Sequence, residues 1–530
     1  MKKLLLTLRN QICAVSIIGL IMICISGSVN AADSRISFTV SMADAVNHNL
    51  MVSMEMKGIN KEYTVLKMPV WTPGYYKIID YPRNLSSFTA TDEKGRALQV
   101  EKTSKNIWKV NTRNVSVLNV SYVIYANSHS VADPYIDTTH AYIPPAGLFI
   151  YPEGGIKMSS EITFKPYSGW KNVSTGLDKV EGKENTWYAS DFDVLFDSPV
   201  LLGNQDVIRF YVKDIPHDIA VLIPGKYNRD SLAADYKKMV ESAIGIIGDI
   251  PYRHYTFIFM GKGGGGLEHM NSQADFMGFR GGNIYPKDRR EFLGWMSFIA
   301  HEYFHLYNVK AIRPIALGPF NYDKENYTNM LWVSEGFTVY YEDIILNRAG
   351  FESPDEMLAS LSRSISAYES IPGSKIQTVA MSSFDAWIDF FNFSENADKT
   401  TISYYDKGCG LALLLDLKIR QVTDNKKSLT DVMRTLYYKY YKGMGRGFTD
   451  SEFRHECEQA AGCSLEEIFN YAVTTVTPDY DKYLDYAGLF LERETSKEGK
   501  DTYVIKRKAD PAERQKMLFN DMFRPIGVQQ

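Results

Sequence analysis

Cysteine is scarce in this chain of 530 residues: there are five, and Cys13 and Cys24 stand close to the N-terminus. The other three, Cys409, Cys457 and Cys463, are an odd number, which excludes a disulfide framework as the scaffold of the fold. A bridge from Cys457 to Cys463 across the turn at Gly462 stays sterically open. An excess of one charge is missing too. With 59 basic residues against 63 acidic ones there is no electrostatic footprint for nucleic acid. Beyond the N-terminal segment no stretch of about 18 uninterrupted apolar residues occurs, so no membrane-spanning helix is expected in the mature chain. The four glycines Gly263 to Gly266 lack the spacing of a phosphate-binding loop, and no helix with Lys-Ser or Lys-Thr follows, which excludes nucleotide binding.

Residues 1–31 read as a targeting segment. Lys2, Lys3 and Arg9 form a basic head, Ala14 to Ile25 an apolar core, and Val29-Asn30-Ala31 a small-residue cleavage site. The mature protein is therefore expected to be exported, periplasmic or secreted. The rest is too long for one core and implies two or three domains. From residue 32 to about 205 the periodicity is mostly two, in runs such as Ile36–Val40, Leu50–Met56 and Val117–Tyr125, which predicts an all-β, sandwich-like domain. In it, Pro69 to Tyr76 reads as an aromatic turn, better explained as a structural corner than as part of a site. From 206 to 493 strands near 207–212, 219–223 and 255–260 give way to a mainly helical pattern, so the chain is of α+β, multidomain class. Residues 494–530 read as a charged tail, a small appendage or partly disordered.

Histidine is also sparse, at nine residues, which gives weight to His301-Glu302-Tyr303-Phe304-His305. This spacing arises by chance in roughly one such chain per hundred. Asp288 and Glu291 have capping-box spacing ahead of it, and Phe292, Trp295, Met296, Ile299 and Tyr303 form the expected buried stripe. On a helix, residues four apart stand one above the other, so His301 and His305 can share one metal ion, while Glu302 can take a proton from water beside it. The pattern points to one Zn2+ per chain and hydrolysis. A catalytic zinc needs a third protein ligand, and Glu335, set in the apolar run Leu331 to Tyr341, would be a costly buried charge without a cation. Glu342, seven residues on, is either an acceptor for a histidine N–H or an ordinary solvated glutamate. Gly265 and Gly266 would let a backbone edge approach a substrate chain, with Glu268 facing the cleft. Phe384 to Phe393 is an aromatic loop without an evident role.

Together, G-G-L-E-H at 265–269, H-E-Y-F-H at 301–305, W-V-S-E-G-F-T-V-Y-Y from Trp332, Y-D-K-G from Tyr405 and the W-T-P-G-Y turn resemble the glycyl aminopeptidase family of gluzincin metallopeptidases. The resemblance spans most of residues 34–493. It implies a thermolysin-like catalytic domain behind the β domain, with Glu268 binding the substrate amine and Tyr405 stabilising the oxyanion. The substrates it implies are peptides with a free N-terminus, Gly or Ala first. A PDZ-like domain, common in that family, has no room in the roughly 37 residues after Arg493. An endopeptidase and a non-catalytic peptide-binding protein are the alternatives, the latter disfavoured by the presence of Glu302.

Overall fold

The computed structural model describes residues 36–222, 227–276, 284–391, 394–495 and 501–523, so the expected targeting segment lies outside the described residues. The N-terminal half is β-rich. A seven-stranded sheet is built around Ile36–Asp44, which pairs antiparallel with Asn49–Lys57 and parallel with Ser160–Lys165. The period-two pattern works as polarity predicts: Ile36, Phe38, Val40 and Met42 face inward. Two four-stranded sheets close over them, bringing Leu66, Trp108 and Val110 from one side and Ala141, Ile143, Val200 and Leu202 from the other into a single core.

The second half opens with a five-stranded sheet. Its edge strand β1 (Asp206–Val212) runs antiparallel to β2 (Ile215–Val221); β3 (Tyr255–Met260) lies parallel between β2 and β5 (Ser272–Phe276). Every residue of β3 is buried, as befits a central strand covered on both faces. The short β4 (Gly266–Glu268) forms the other edge, antiparallel to β5. One face packs on helix α1 (Arg229–Ile247) and on α2 (Arg289–Phe304). The other face meets the N-terminal domain, where Val131, Tyr142 and Leu201 pack on Ile258, Met260, Leu267 and Ala274.

Four further helices carry the site: α3 (Leu331–Ser334), α4 (Gly336–Arg348), α5 (Pro354–Glu369) and α6 (Tyr404–Val422). Asp288 caps α2 by accepting from the Glu291 N–H at 3.0 Å, without the reciprocal bond of a full capping box. A full box forms farther on, between Thr449 and Glu452, while Ser464 accepts from the Glu466 N–H and Glu467 from Tyr471 and Lys482. Gly350, at φ 77°, ends α4 in the left-handed conformation that only glycine adopts freely.

Two expectations change. The boundary at 493 cuts a hairpin, since Leu489–Thr495 pairs with Asp501–Arg507, and the helix Glu513–Met522 follows. This end is docked, not loose. Ile505, Leu518 and Met522 are buried, and the Tyr503 and Ile505 N–H groups donate to Ser366 and Ser362 of α5 at 2.7 and 2.9 Å. Composition hid this because the outward-facing charges outnumber the few inward apolar groups. Cys457 and Cys463 are both free; Cys457 is buried in the hydrophobic core, and Cys463 is only partly buried. Among the described residues no helix is long and apolar enough to cross a membrane.

Candidate functional site

Helix α2 delivers His301 and Glu302 on its last turn, with His305 at its C-cap. Beyond it the chain enters a π-helical turn, Leu306–Ala311, broken at Asn308 (φ −112°, ψ 75°). That break turns the Asn308 carbonyl inward to accept from His305 Nδ1 at 2.7 Å. The Asn308 side chain meanwhile donates to the carbonyls of Val333 and Ser334, at 2.9 and 3.0 Å, and so ties the end of α2 to α3. No motif in the sequence marks Asn308, because a π turn at a functional site depends on what it packs against.

The other histidine is held by Glu342, whose carboxylate accepts from His301 Nδ1 at 2.7 Å and from the Ser297 hydroxyl at 2.7 Å. Of the two readings of Glu342, the histidine acceptor is the one seen. With both Nδ1 atoms donating, the Nε2 lone pairs are left to face each other at 3.0 Å. Glu335 Oε2 completes the triangle, 3.1 Å from His305 Nε2 and 3.5 Å from His301 Nε2. Three buried acceptors with no proton to share repel one another unless a cation sits among them. Ligands about 2.0–2.2 Å from a tetrahedral zinc stand about 3.3–3.6 Å apart, so these donors, 3.0 to 3.5 Å apart, need to open by only a few tenths of an ångström to hold that ion. Without such an ion the site would have to take up protons: burial pushes the Glu335 carboxyl up, and only protonated imidazoles of His305 and His301 would hold it down at about 2.

Glu302 is 7% exposed and lies against β4. A Cβ on Gly266 would come within 2.3 Å of Glu302 Oε1 and 2.8 Å of Asp275 Oδ1. Gly266 therefore makes room for the Glu302 carboxyl, a reason that differs from the backbone edge expected of it. Gly265, at φ 89°, lines the same cleft with open space around it. Burial raises Glu302 well above the usual carboxylate range; His301 pulls the other way, while Asp275, Glu268 and Glu335 add to the rise. Asp275, which the sequence did not single out, is fully buried and also raised by burial.

Glu268 stands at the end of β4, 4% exposed. It offers a ligand atom within 4.8 Å of those of Glu302 and His305, and its Oε1 has no hydrogen-bond partner among the described residues. Lys310 approaches to 3.9 Å but bonds Asp197 more closely, at 2.8 Å. The W-T-P-G-Y turn reaches this point from the N-terminal domain. Gly74, at φ 87°, lies so close that a Cβ there would meet the Glu268 oxygens at 2.6 and 2.7 Å. The turn is thus part of the site wall, and not only a corner; residues of separate domains give no local sequence signal of such a contact.

Tyr405 arrives on the first turn of α6, its ring 6.1 Å from that of His301 and nearly parallel to it. Burial raises its phenol well above 10, which keeps the hydroxyl a proton donor. Its placement depends on two glycines. A Cβ on Gly336 would lie 2.3 Å from Gly408 Cα, and one on Gly408 would lie 2.3 Å from the Trp332 carbonyl, so α6 crosses α3 and α4 at backbone contact. The cleft, of about 700 Å³, is lined by these residues with Tyr75, Val131, Phe298, Arg363, Phe390 and Phe391.

Comparison with known proteins decides the family. Residues 37–204 match the peptidase M61 N-terminal domain, and residues 294–411 match the M61 glycyl aminopeptidase domain. The chain belongs to the M61 glycyl aminopeptidase family. It is a zinc metallopeptidase of this family, with a β-rich N-terminal domain followed by a helical one. An aminopeptidase N family protein from Idiomarina loihiensis is 28% identical, with a TM-score of 0.82 over 87% of this chain and 79% of that one. An M1 zinc metallopeptidase from Deinococcus radiodurans shares the fold, at 10% identity and a TM-score of 0.53, over 84% of this chain and 94% of its own. No curated protein matches the sequence.

Proposed function

We propose that this M61 peptidase is an exported aminopeptidase that removes small N-terminal residues, Gly or Ala, from peptides, with one zinc per chain held by His301, His305 and Glu335. One observation carries the exopeptidase reading: buried Glu268 offers a carboxylate oxygen within 4.8 Å of the Glu302 and His305 ligand atoms, and its Oε1 accepts no hydrogen bond among the described residues, with Lys310 only at 3.9 Å. A buried carboxylate calls for a cationic donor, and a free N-terminal ammonium supplies one. One residue spans at most about 3.6 Å, so an amine bonded to Glu268 brings the first carbonyl, and no later one, beside Glu302.

Zinc bound to the three ligands supplies the Lewis acidity that makes water a nucleophile near neutral pH. Glu302 takes the proton from the attacking water and passes it to the departing amine. The Tyr405 hydroxyl donates to the oxygen on which charge develops, and Glu342 and the Asn308 carbonyl hold the imidazoles in one tautomer. Losing one oxyanion donor costs about 10² to 10³ in kcat, which is the drop expected for Tyr405→Phe, with Tyr404→Phe staying near the parent.

The deciding experiment compares hydrolysis of a dipeptide amide with its N-acetylated form, with and without chelator. Cleavage of the free form alone, abolished by chelator and restored by zinc, is the expected result. Equal cleavage of both forms would make the protein an endopeptidase, and chelator-insensitive binding without turnover a peptide-binding protein. Export rests on the N-terminal pattern, and cell fractionation tests it.

A further inference from the structure

The cleft has an aromatic wall that the mechanism does not use. It starts at the Gly74 turn, which lies against Glu268, and its first member is the next residue, Tyr75. The Tyr75 ring meets that of Phe391 at 4.7 Å between centroids. Phe391 meets Phe390 edge to face at 4.9 Å, and Phe390 stacks on Tyr405 at 5.8 Å. Tyr75 and Phe391 belong to different domains, so their contact joins the two along the cleft lining, and Tyr75 follows the Gly74 that lies against Glu268.

Both rings are braced. The turn that carries Tyr75 is pinned by the Tyr75 N–H donating to the Thr72 carbonyl at 3.2 Å, and Trp71, one residue before it, packs on Trp387 at 5.0 Å. Lys77 Nζ lies 5.1 Å from the centre of the Phe391 ring. Parting such a pair to admit a bulky side chain would break apolar contact on both faces. Tilted aromatic pairs hold together by more than the area they bury, so the wall resists opening.

We propose that Tyr75 and Phe391 together set the size of the first substrate residue, as specificity-determining residues that stop side chains larger than a methyl group. This rests on the aminopeptidase reading, in which the amine at Glu268 fixes the first Cα between that carboxylate and the metal ligands. Its side chain then has the Tyr75–Phe391 wall and Val131 beside it. The filter is built by the contact between two domains, so neither domain sequence alone would carry it.

The test measures kcat/KM for Gly, Ala, Leu and Phe dipeptide amides on the zinc-loaded full chain, for the parent, Tyr75→Ala, Phe391→Ala and the milder Phe391→Leu. The parent is expected to favour Ala over Leu and Phe. Each alanine variant is expected to raise the Leu-to-Ala ratio at least tenfold, and Phe391→Leu to raise it less. The ratio is read within each variant, so a partly folded sample does not mimic the effect, and zinc content and melting temperature are recorded alongside. A ratio within twofold of the parent in all three variants overturns the proposal. A parent that cleaves Leu as well as Ala overturns it too. The parent's preference for free over acetylated substrate reports separately on the Glu268 anchor, so failure of the aminopeptidase reading and failure of the size filter give different results.

Discussion

Glu302 needs a neighbour without a side chain, and Gly266 is that neighbour. Gly266→Ala would set a methyl carbon 2.3 Å from the carboxylate oxygen, and the base must move. General acid–base catalysis is worth about 10² to 10⁴ in rate, so both Gly266→Ala and Glu302→Gln are expected to lose about that much kcat while keeping zinc, which metal analysis of the purified variants checks. Lys407, two residues beyond Tyr405, is a different kind of residue. Its Nζ is buried over the Tyr368 ring at 4.0 Å, with the Glu369 carboxylate at 3.9 Å. Burial outweighs Glu369 and lowers it to about 7 from 10.5. Between those values the unfolded chain holds a proton that the folded chain has lost, so stability should rise with pH through that window and be flat below it. Melting temperatures of the parent and Lys407→Met at pH 6 and pH 9.5 check this: the parent should gain relative to the variant at the higher pH. A gap that does not change with pH would leave Lys407 charged throughout.

At the scale of elements, the site depends on helices meeting closer than side chains allow. Gly408 of α6 and Gly336 of α4 touch through their backbones, and this contact brings Tyr405 over His301. Overpacking a close contact costs about 1–3 kcal/mol, so Gly408→Ala should lower the melting temperature by several degrees and reduce kcat by displacing Tyr405. A stable variant with full activity would show that the helices can part without moving the tyrosine. The π turn at Asn308 also fixes the C-terminal end of α2, since its side chain joins the chain leaving α2 to α3.

At the scale of the molecule, the two domains share the active site. Asp197 of the N-terminal domain accepts from Lys310 at 2.8 Å and faces His269 Nδ1 at 3.0 Å. Burial pushes Asp197 up, and Lys310 with His269 brings it down to about 2. Trp71 donates its indole N–H to the Asn321 carbonyl at 2.8 Å. A catalytic fragment of residues 206–523 would expose Ile258, Leu267 and Trp387 to water and leave Glu268 uncovered. It is expected to be poorly soluble and to lose activity on free-amine substrates, and adding the separately produced 36–205 domain is expected to restore part of it. Full activity of the fragment alone would show that Glu268 holds the amine without cover from the N-terminal domain.

Sequence by itself determined the local geometry of this protein. Two histidines four apart on an amphipathic helix share a face by the pitch of the helix, Glu335 in an apolar run has to meet a cation, and alternating polarity from Ile36 onward has to form strands. Each of these follows from chain periodicity and the cost of burying charge. Tertiary structure alone decided what depends on approach between distant segments: Gly74 against Glu268, Gly266 against Glu302, Gly408 against Trp332, and Tyr75 against Phe391. A glycine in a sequence announces freedom of the backbone, whereas here each of these glycines is needed for the space it leaves, and what fills that space comes from a part of the chain no local pattern connects to it.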